Sequence, residues 1–297
     1  MNSVENGFLL LTCQLGNPER KVLTVSQLRV LASRVSGAVV EKSEREMVPA
    51  DLQTLGYGGE MAKRIVELLD EELLLKRYLR RGENNGCFPL TRATPGYPTA
   101  VRKKLGLDSP GCLWYKGNKE LLQTPMIALA GSRELRCENR SFAREAGRQA
   151  AQQGFTLVSG NASGADREAQ EACLTAGGRV ICVVANELER QPDRDRVLYL
   201  SEDGFDLPFS PQRALSRNRV IHCLGEKAII AQCALETGGT WDGTVRNLRF
   251  GWSPVFCFQD GSSAMLCLEQ MGASLIALAD LKNLDALCQK NISLFDQ

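Results

Sequence analysis

Residues 155–185 read FTLVSGNASGADREAQEACLTAGGRVICVVA. An apolar run (FTLVS) breaks into a loop of Gly, Asn, Ala and Ser, and the loop runs straight into an amphipathic stretch, ADREAQEACLTA. A second apolar run, RVICVVA, follows Gly177 and Gly178. Neither run alternates, so both faces are buried, as a parallel sheet covered by helices demands. Working outward, MIALA (126–130), KAIIAQC (227–233), PVFCF (254–258) and ASLI (273–276) join FTLVS (155–159) and RVICVVA (179–185) as six candidate strands. ENRSFAREAGRQAAQQ (138–153) supplies a further helical crossover. The expected fold is α/β: a Rossmann-like, doubly wound, mainly parallel sheet over 126–297.

Upstream the pattern changes twice. Apolar positions recur at helical spacing in TVSQLRVLASRV and EMAKRIVELLDEELLLKRYL, which predicts a small helical domain over 1–81. Within it, LQTLGYGGEMAKRIVELL sets a Gly turn before a helix carrying Lys63 and Arg64. That reads either as a plain helical bundle or as a SAM-like, helix-hairpin-helix-like unit whose turn amides face a phosphate. Residues 82–125 are rich in Gly, Pro and Asn and predict an irregular connector with short elements, anchored on the next domain by Tyr97-Pro98 and Trp114-Tyr115.

Charge and cysteine usage exclude several functions. The 297 residues hold 36 Lys+Arg against 35 Asp+Glu, a formal +1, so any nucleic-acid site is a local patch. Eleven cysteines without a CxxC pair do not form a disulfide framework or a zinc ribbon, and most are expected reduced and buried. The single histidine, His222, reads as a helix residue and leaves no basis for Ser-His-Asp, Cys-His or His-rich metal chemistry. No metal site, cofactor or catalytic residue is expected. No apolar run approaches ~18 residues, and Glu5 stands where a signal peptide carries positive charge. A cytoplasmic protein with no membrane partner is expected.

Doubly wound sheets bind ligands beyond the carboxyl ends of their strands. Gly131-Ser132-Arg133 follows the first strand, offering a close backbone, a hydroxyl and a guanidinium for a phosphate. Ser159, Gly160, Asn161, Ser163 and Gly164 follow the second strand and enter a helix, an anion cradle in which Asp166 is the N-cap or first-turn acid. Arg136, Arg140, Arg144 and Arg148 align on one helix face and read as a solvated surface. Trp241, Phe250 and Trp252 read as core rather than as base-stacking residues.

The pairing of ALAGSRE with LVSGNASGADREAQEACLTAGGRVICVVANEL resembles the DNA-processing protein A (DprA/Smf) family. So do the upstream YPTAVRKKLGLDSPGCLWYKGNKELL and the downstream Arg217-Asn218-Arg219-Val220-Ile221. The likeness covers most of 85–280. Ala165 replaces the family's Ile, TGGTWDGT (237–244) stands for its S-G-S/T-L-x-T-A segment, and a member without the C-terminal winged helix is expected. The resemblance implies a divergent member that binds single-stranded DNA, protects it during uptake or repair, and assists loading of a RecA-type recombinase in recombination or natural transformation. It implies no enzyme activity and leaves a homodimer open. It adds Arg217, Asn218, Arg219, Gly238, Gly239 and Thr240 to the expected DNA-binding residues. Two rival readings use the same loops: a nucleotide-sensing module, and a nucleotide N-glycosidic hydrolase. The hydrolase signature places a catalytic Glu where this chain has Asn247.

Overall fold

The computed structural model describes residues 1–37 and 47–288, so the parts of the expected domains that fall on 38–46 and 289–297 lie outside the described residues. The chain forms two compact units, Met1–Tyr115 with Glu202–Leu207, and Lys116–Ser201 with the residues from Pro208 onward.

In the first unit, side-chain caps start the helices. Asn2 and Glu5 exchange side-chain-to-backbone bonds (2.9 and 2.8 Å) at the head of α1 (Ser3–Thr12), and Thr24 and Gln27 do the same for α2 (Val25–Ser36). Next come α3 (Pro49–Thr54), α4 (Gly59–Leu69) and α5 (Glu72–Asn84). Leu11, Leu28, Leu52, Ile65 and Leu68 close a core between them. The Gly turn before α4 forms as expected, but Arg64 donates to the carbonyls of Lys21 and Val22 rather than standing ready for a phosphate.

The stretch 82–125 carries the expected short elements, β1 (Cys87–Thr91), α6 (Thr99–Leu105) and β2 (Cys112–Gly117), and through Tyr115 it belongs to the helical unit. The reason is Trp114. Its fully buried ring sits edge-on to Tyr78 of α5 at 5.3 Å and against Phe205 at 4.9 Å. Tyr97, also buried, donates its hydroxyl to the Pro110 carbonyl at 2.9 Å. Trp114 and Tyr97 are thus both anchored by partners within this unit.

In the second unit, all six expected strands form: β3 (Met126–Ala130), β4 (Thr156–Ser159), β5 (Arg179–Val184), β7 (Lys227–Ile230), β8 (Val255–Phe258) and β9 (Ser274–Ile276). The sequence reading missed a seventh, β6 (Val197–Glu202). Its apolar core VLYL lies between charged runs and lacks the helical crossover that marks the other strands. The order is β6-β5-β4-β3-β7-β8-β9, and each of these neighbouring pairs is parallel. The chain thus winds outward from β3 in one direction, returns to pair β7 with β3, and winds outward in the other. The switch point lies between β3 and β7. The connecting helices are α7 (Cys137–Gln152), α8 (Ala165–Thr175), α9 (Pro211–Leu224), α10 (Gly238–Phe250) and α11 (Ser263–Gln270). α7 and α8 touch backbone to backbone, because a Cβ at Gly147 would lie 2.0 Å from the Ala169 carbonyl oxygen. No described helix is long and apolar enough to cross a membrane.

Candidate nucleic-acid interface

A crevice of about 560 Å³ opens at the switch point. The loop after β3 (Gly131, Ser132, Arg133), the wall of α9 (Arg217, Asn218, His222) and the first turn of α10 (Gly238, Gly239, Thr240) line it.

The loop after β3 is held from below. The Ser132 amide and hydroxyl both donate to the Gln232 carbonyl, at 2.9 and 3.3 Å. The Gln232 side chain accepts from the Arg136 amide and donates to the Glu134 carbonyl, both at 3.0 Å. The expected role of Ser132 is corrected accordingly: its hydroxyl secures the loop. Arg133 stays exposed on the rim, with no ion pair among the described residues.

The loop after β4 interlocks with it. Gly164, at φ +77°, is a backbone that L side chains rarely adopt. A Cβ there would sit 2.3 Å from the carbonyl oxygens of both Ser132 and Arg133. The Ala165 amide donates to Ser132 O at 3.1 Å. A Cβ on Gly131 would lie 2.4 Å from Ala165 Cβ, so glycines on both sides permit the contact.

Asp166 sits where expected, as a first-turn acid of α8, with Gly164 at the N-cap. The Asp166 carboxylate is buried and accepts from the amides of Gly160 and Ala162, both at 3.1 Å. Two donors expected to hold a phosphate are thereby occupied by the protein's own carboxylate. Ser159 is fully buried and accepts from Gln170 Nε2 at 2.5 Å, so it too is structural. Asn161 and Ser163 are exposed but do not line the crevice. Asn161 Nδ2 instead donates to Gln191 Oε1 at 3.3 Å.

Burial raises the Asp166 carboxyl above its ordinary range, against the pull of Arg217, the two amides and Arg133. A raised acid favours folding fully below the unfolded value of about 3.9, and the benefit fades as pH rises through the folded value. One Asp166 oxygen receives both amides, and an Asn oxygen can take its place. Asp166→Asn is therefore expected to fold, with neutral-pH stability within about 1 kcal/mol of wild type and a flatter stability profile in mild acid. Denaturant melts at pH 4–7 check this. A loss above about 2 kcal/mol would show that the charge itself is needed.

The Arg-Asn-Arg motif divides. Arg217, only 8% exposed, donates from Nη1 to the Val183 carbonyl at 2.6 Å and lies against Gly160, where a Cβ would meet Nη1 at 1.9 Å. It braces the ends of β4 and β5 from within the crevice wall, rather than reaching out from the rim. Asn218 donates to Gly239 O at 2.9 Å and fastens α9 to the head of α10. Arg219 does not line the crevice, because residues two apart on a helix point to different sides.

His222 Nδ1 lies 3.1 Å from Asn247 Nδ2, and both residues are buried. The Ser253 amide donates to Asn247 Oδ1 at 2.9 Å, which orients the amide so that its nitrogen faces the imidazole. The position at which the hydrolase signature has its Glu is thus a neutral scaffold residue.

The arginine face of α7 is paired, as a solvated surface would be. Arg140 and Arg144 reach Glu168 at 3.4 and 2.5 Å, Arg148 reaches Glu145 at 2.5 Å, and Arg136 pairs with Asp260. Trp241 and Trp252 are buried, whereas Phe250 is 61% exposed and stacks on Trp252 at 5.7 Å, so its reading as core is corrected. Sequence reasoning missed Phe209, 52% exposed on the crevice rim just before α9. An aromatic in LPFSPQRAL, immediately ahead of the Arg-Asn-Arg helix, was its available signal. It also missed Gln232, which carries no motif.

Comparison with known proteins agrees with this geometry. Protein Smf of Synechocystis is 25% identical over 197 residues, spanning 62% of this chain and 49% of that protein. DNA processing protein DprA of Streptococcus pneumoniae is 31% identical over 141 residues, 44% of this chain and 50% of that protein. The chain spans about half the length of these curated relatives. The X-ray structure of the S. pneumoniae protein superposes with a TM-score of 0.70 at 24% identity, covering 93% of this chain and 95% of that one. A Helicobacter pylori DNA processing protein A, studied for its single-stranded DNA binding mode, gives 0.56 at 24% identity over 66% of this chain and 93% of that one. These two likenesses establish the shared fold. The family model of DNA recombination-mediator protein A matches residues 89–246, more than half of the chain and most of the crevice, and the chain belongs to that family.

Proposed function

We propose that this protein binds single-stranded DNA by its backbone in the switch-point crevice and acts as a recombination mediator. One observation carries the reading. Arg133 stands exposed on the rim of a crevice at the carboxyl ends of the strands, beside the first turn of α10. A guanidinium and a helix N-terminus both favour a phosphate. Phe209 on the same rim presents a ring on which an unpaired base can stack, a contact open to single strands and closed to a duplex. Among the lining residues Asp166 is the one carboxylate, and it already holds two amides, which supports binding without cleavage. A RecA-type recombinase and a second copy of the chain are the partners that the family reading adds.

Arg133→Ala tests the phosphate contact. Single-strand affinity is expected to fall about tenfold at low salt, and the slope of log K against log salt to shrink by about 0.7, one phosphate's share. The melting temperature stays unchanged, since Arg133 has no hydrogen-bond or ion-pair partner to lose among the described residues. Anisotropy titrations at several salt concentrations measure both. Unchanged affinity and slope would place the phosphate elsewhere.

A further inference from the structure

Cys13 and Cys112 lie 99 positions apart in the chain, yet their sulfurs are 3.1 Å apart. Both residues are fully buried, and both belong to the helical unit. That separation is about 1 Å more than a covalent S–S bond of about 2.05 Å. Three features hold the two backbones together without any bond. Cys13 is the residue that ends α1, and Arg20 donates to its carbonyl. Cys112 begins β2, and Thr12 Oγ1 donates to its sulfur at 3.7 Å. The neighbouring Gly111 is pressed so closely on Thr12 that a Cβ would lie 2.6 Å from Thr12 Cγ2.

We propose that Cys13 and Cys112 form a reversible disulfide that clasps the end of α1 to the start of β2. The oxidant is a small-molecule disulfide, RSSR. One cysteine thiolate attacks a sulfur of RSSR and expels RS⁻, leaving a mixed disulfide. The second thiolate then attacks the protein sulfur of that mixed disulfide and expels the other RS⁻. The two cysteine protons end on two RSH, and an excess of thiol reverses both steps. The hydrogen bond with Cys13 and then burial raise the Cys112 thiol, so the closed protein reacts slowly and the bond forms when α1 opens or while the chain folds. The clasp closes a loop of about a hundred residues, which restrains the unfolded chain far more than a short loop does.

Trypsin separates the two sulfurs cleanly. Cys13 falls in the peptide 1–20 and Cys112 in 105–116, each with a single cysteine. The full chain is denatured with all thiols reduced, refolded in oxidised glutathione, alkylated and digested. The expected product is the 1–20/105–116 cross-linked pair, at least tenfold more abundant than either peptide linked to any other cysteine. It disappears after dithiothreitol. The oxidised protein melts on the order of 5 °C higher than the reduced one, and Cys112→Ala shows no such redox difference. Recovery of both peptides as separately alkylated or glutathione-capped species, while exposed Cys137 has been oxidised, would overturn the proposal. Refolding in the oxidant exposes both thiols, so burial does not excuse a missing cross-link.

Discussion

Alanine at position 164 drives the two crevice loops apart, and DNA binding is lost with them. The new methyl has no space, since the carbonyl oxygens of Ser132 and Arg133 both lie 2.3 Å from the Cβ position and both are backbone atoms. The residue also sits at φ +77°, where a side chain is strained even in open space. Strain and overpacking together cost roughly 3 kcal/mol or more. The protein relieves this by moving the Gly131–Arg133 segment, which breaks the Ala165 amide bond to Ser132 and shifts Arg133 on the rim. The expected result for Gly164→Ala is a denaturant midpoint lowered by that amount and single-strand affinity down at least tenfold. Gly251→Ala is the control. It too has a positive φ, +62°, at the end of α10, but open space around its Cβ. It is expected to lose about 1 kcal/mol and to keep its affinity. Equal behaviour of the two variants would mean that the loops do not depend on their close approach.

Arg217→Ala is the second large effect, and it works through Asp166. The guanidinium is the strongest charge opposing the burial of that carboxyl, and it also ties Val183 to the turn at Gly160. Removing it leaves a buried carboxylate that has lost its main counter-charge, at a cost of about 3 kcal/mol. Since Arg217 pulls the Asp166 carboxyl down, its loss lets the carboxyl rise further, so the destabilisation shrinks as pH falls and Asp166 takes a proton. A double-mutant cycle with Asp166→Asn measures the share that belongs to the charge. The double variant is expected to recover at least 1 kcal/mol of the loss at neutral pH. Strict additivity of the two changes would mean that Arg217 acts only through its bond to Val183.

The uninterrupted apolar runs were enough to read six of the seven parallel strands, because burial on both faces writes itself plainly into composition. β6 escaped, since VLYL is short, flanked by charge and reached without a helix. The place of the site was legible for a topological reason. Loops after consecutive strands of a doubly wound sheet meet at one edge, so Gly131–Arg133 and Ser159–Asp166 had to be neighbours. What each residue does there was less legible. Ser132, Ser159, Asp166 and Arg217 have the chemistry of ligand-binding groups, yet each is turned inward to satisfy backbone or side-chain partners. A sequence records the available donors and acceptors but not which of them the protein itself consumes. Gln232, which secures Ser132 from 100 positions away, has no local signature.

The most direct test of the account is an anisotropy titration of the wild-type protein with one oligonucleotide as single strand and as duplex, over a range of salt concentrations. A phosphate-binding crevice with Phe209 on its rim predicts tighter binding to the single strand. Its log K should fall linearly with log salt, by about 0.7 for each phosphate held. Equal affinity for both forms, or binding that ignores salt, would contradict it.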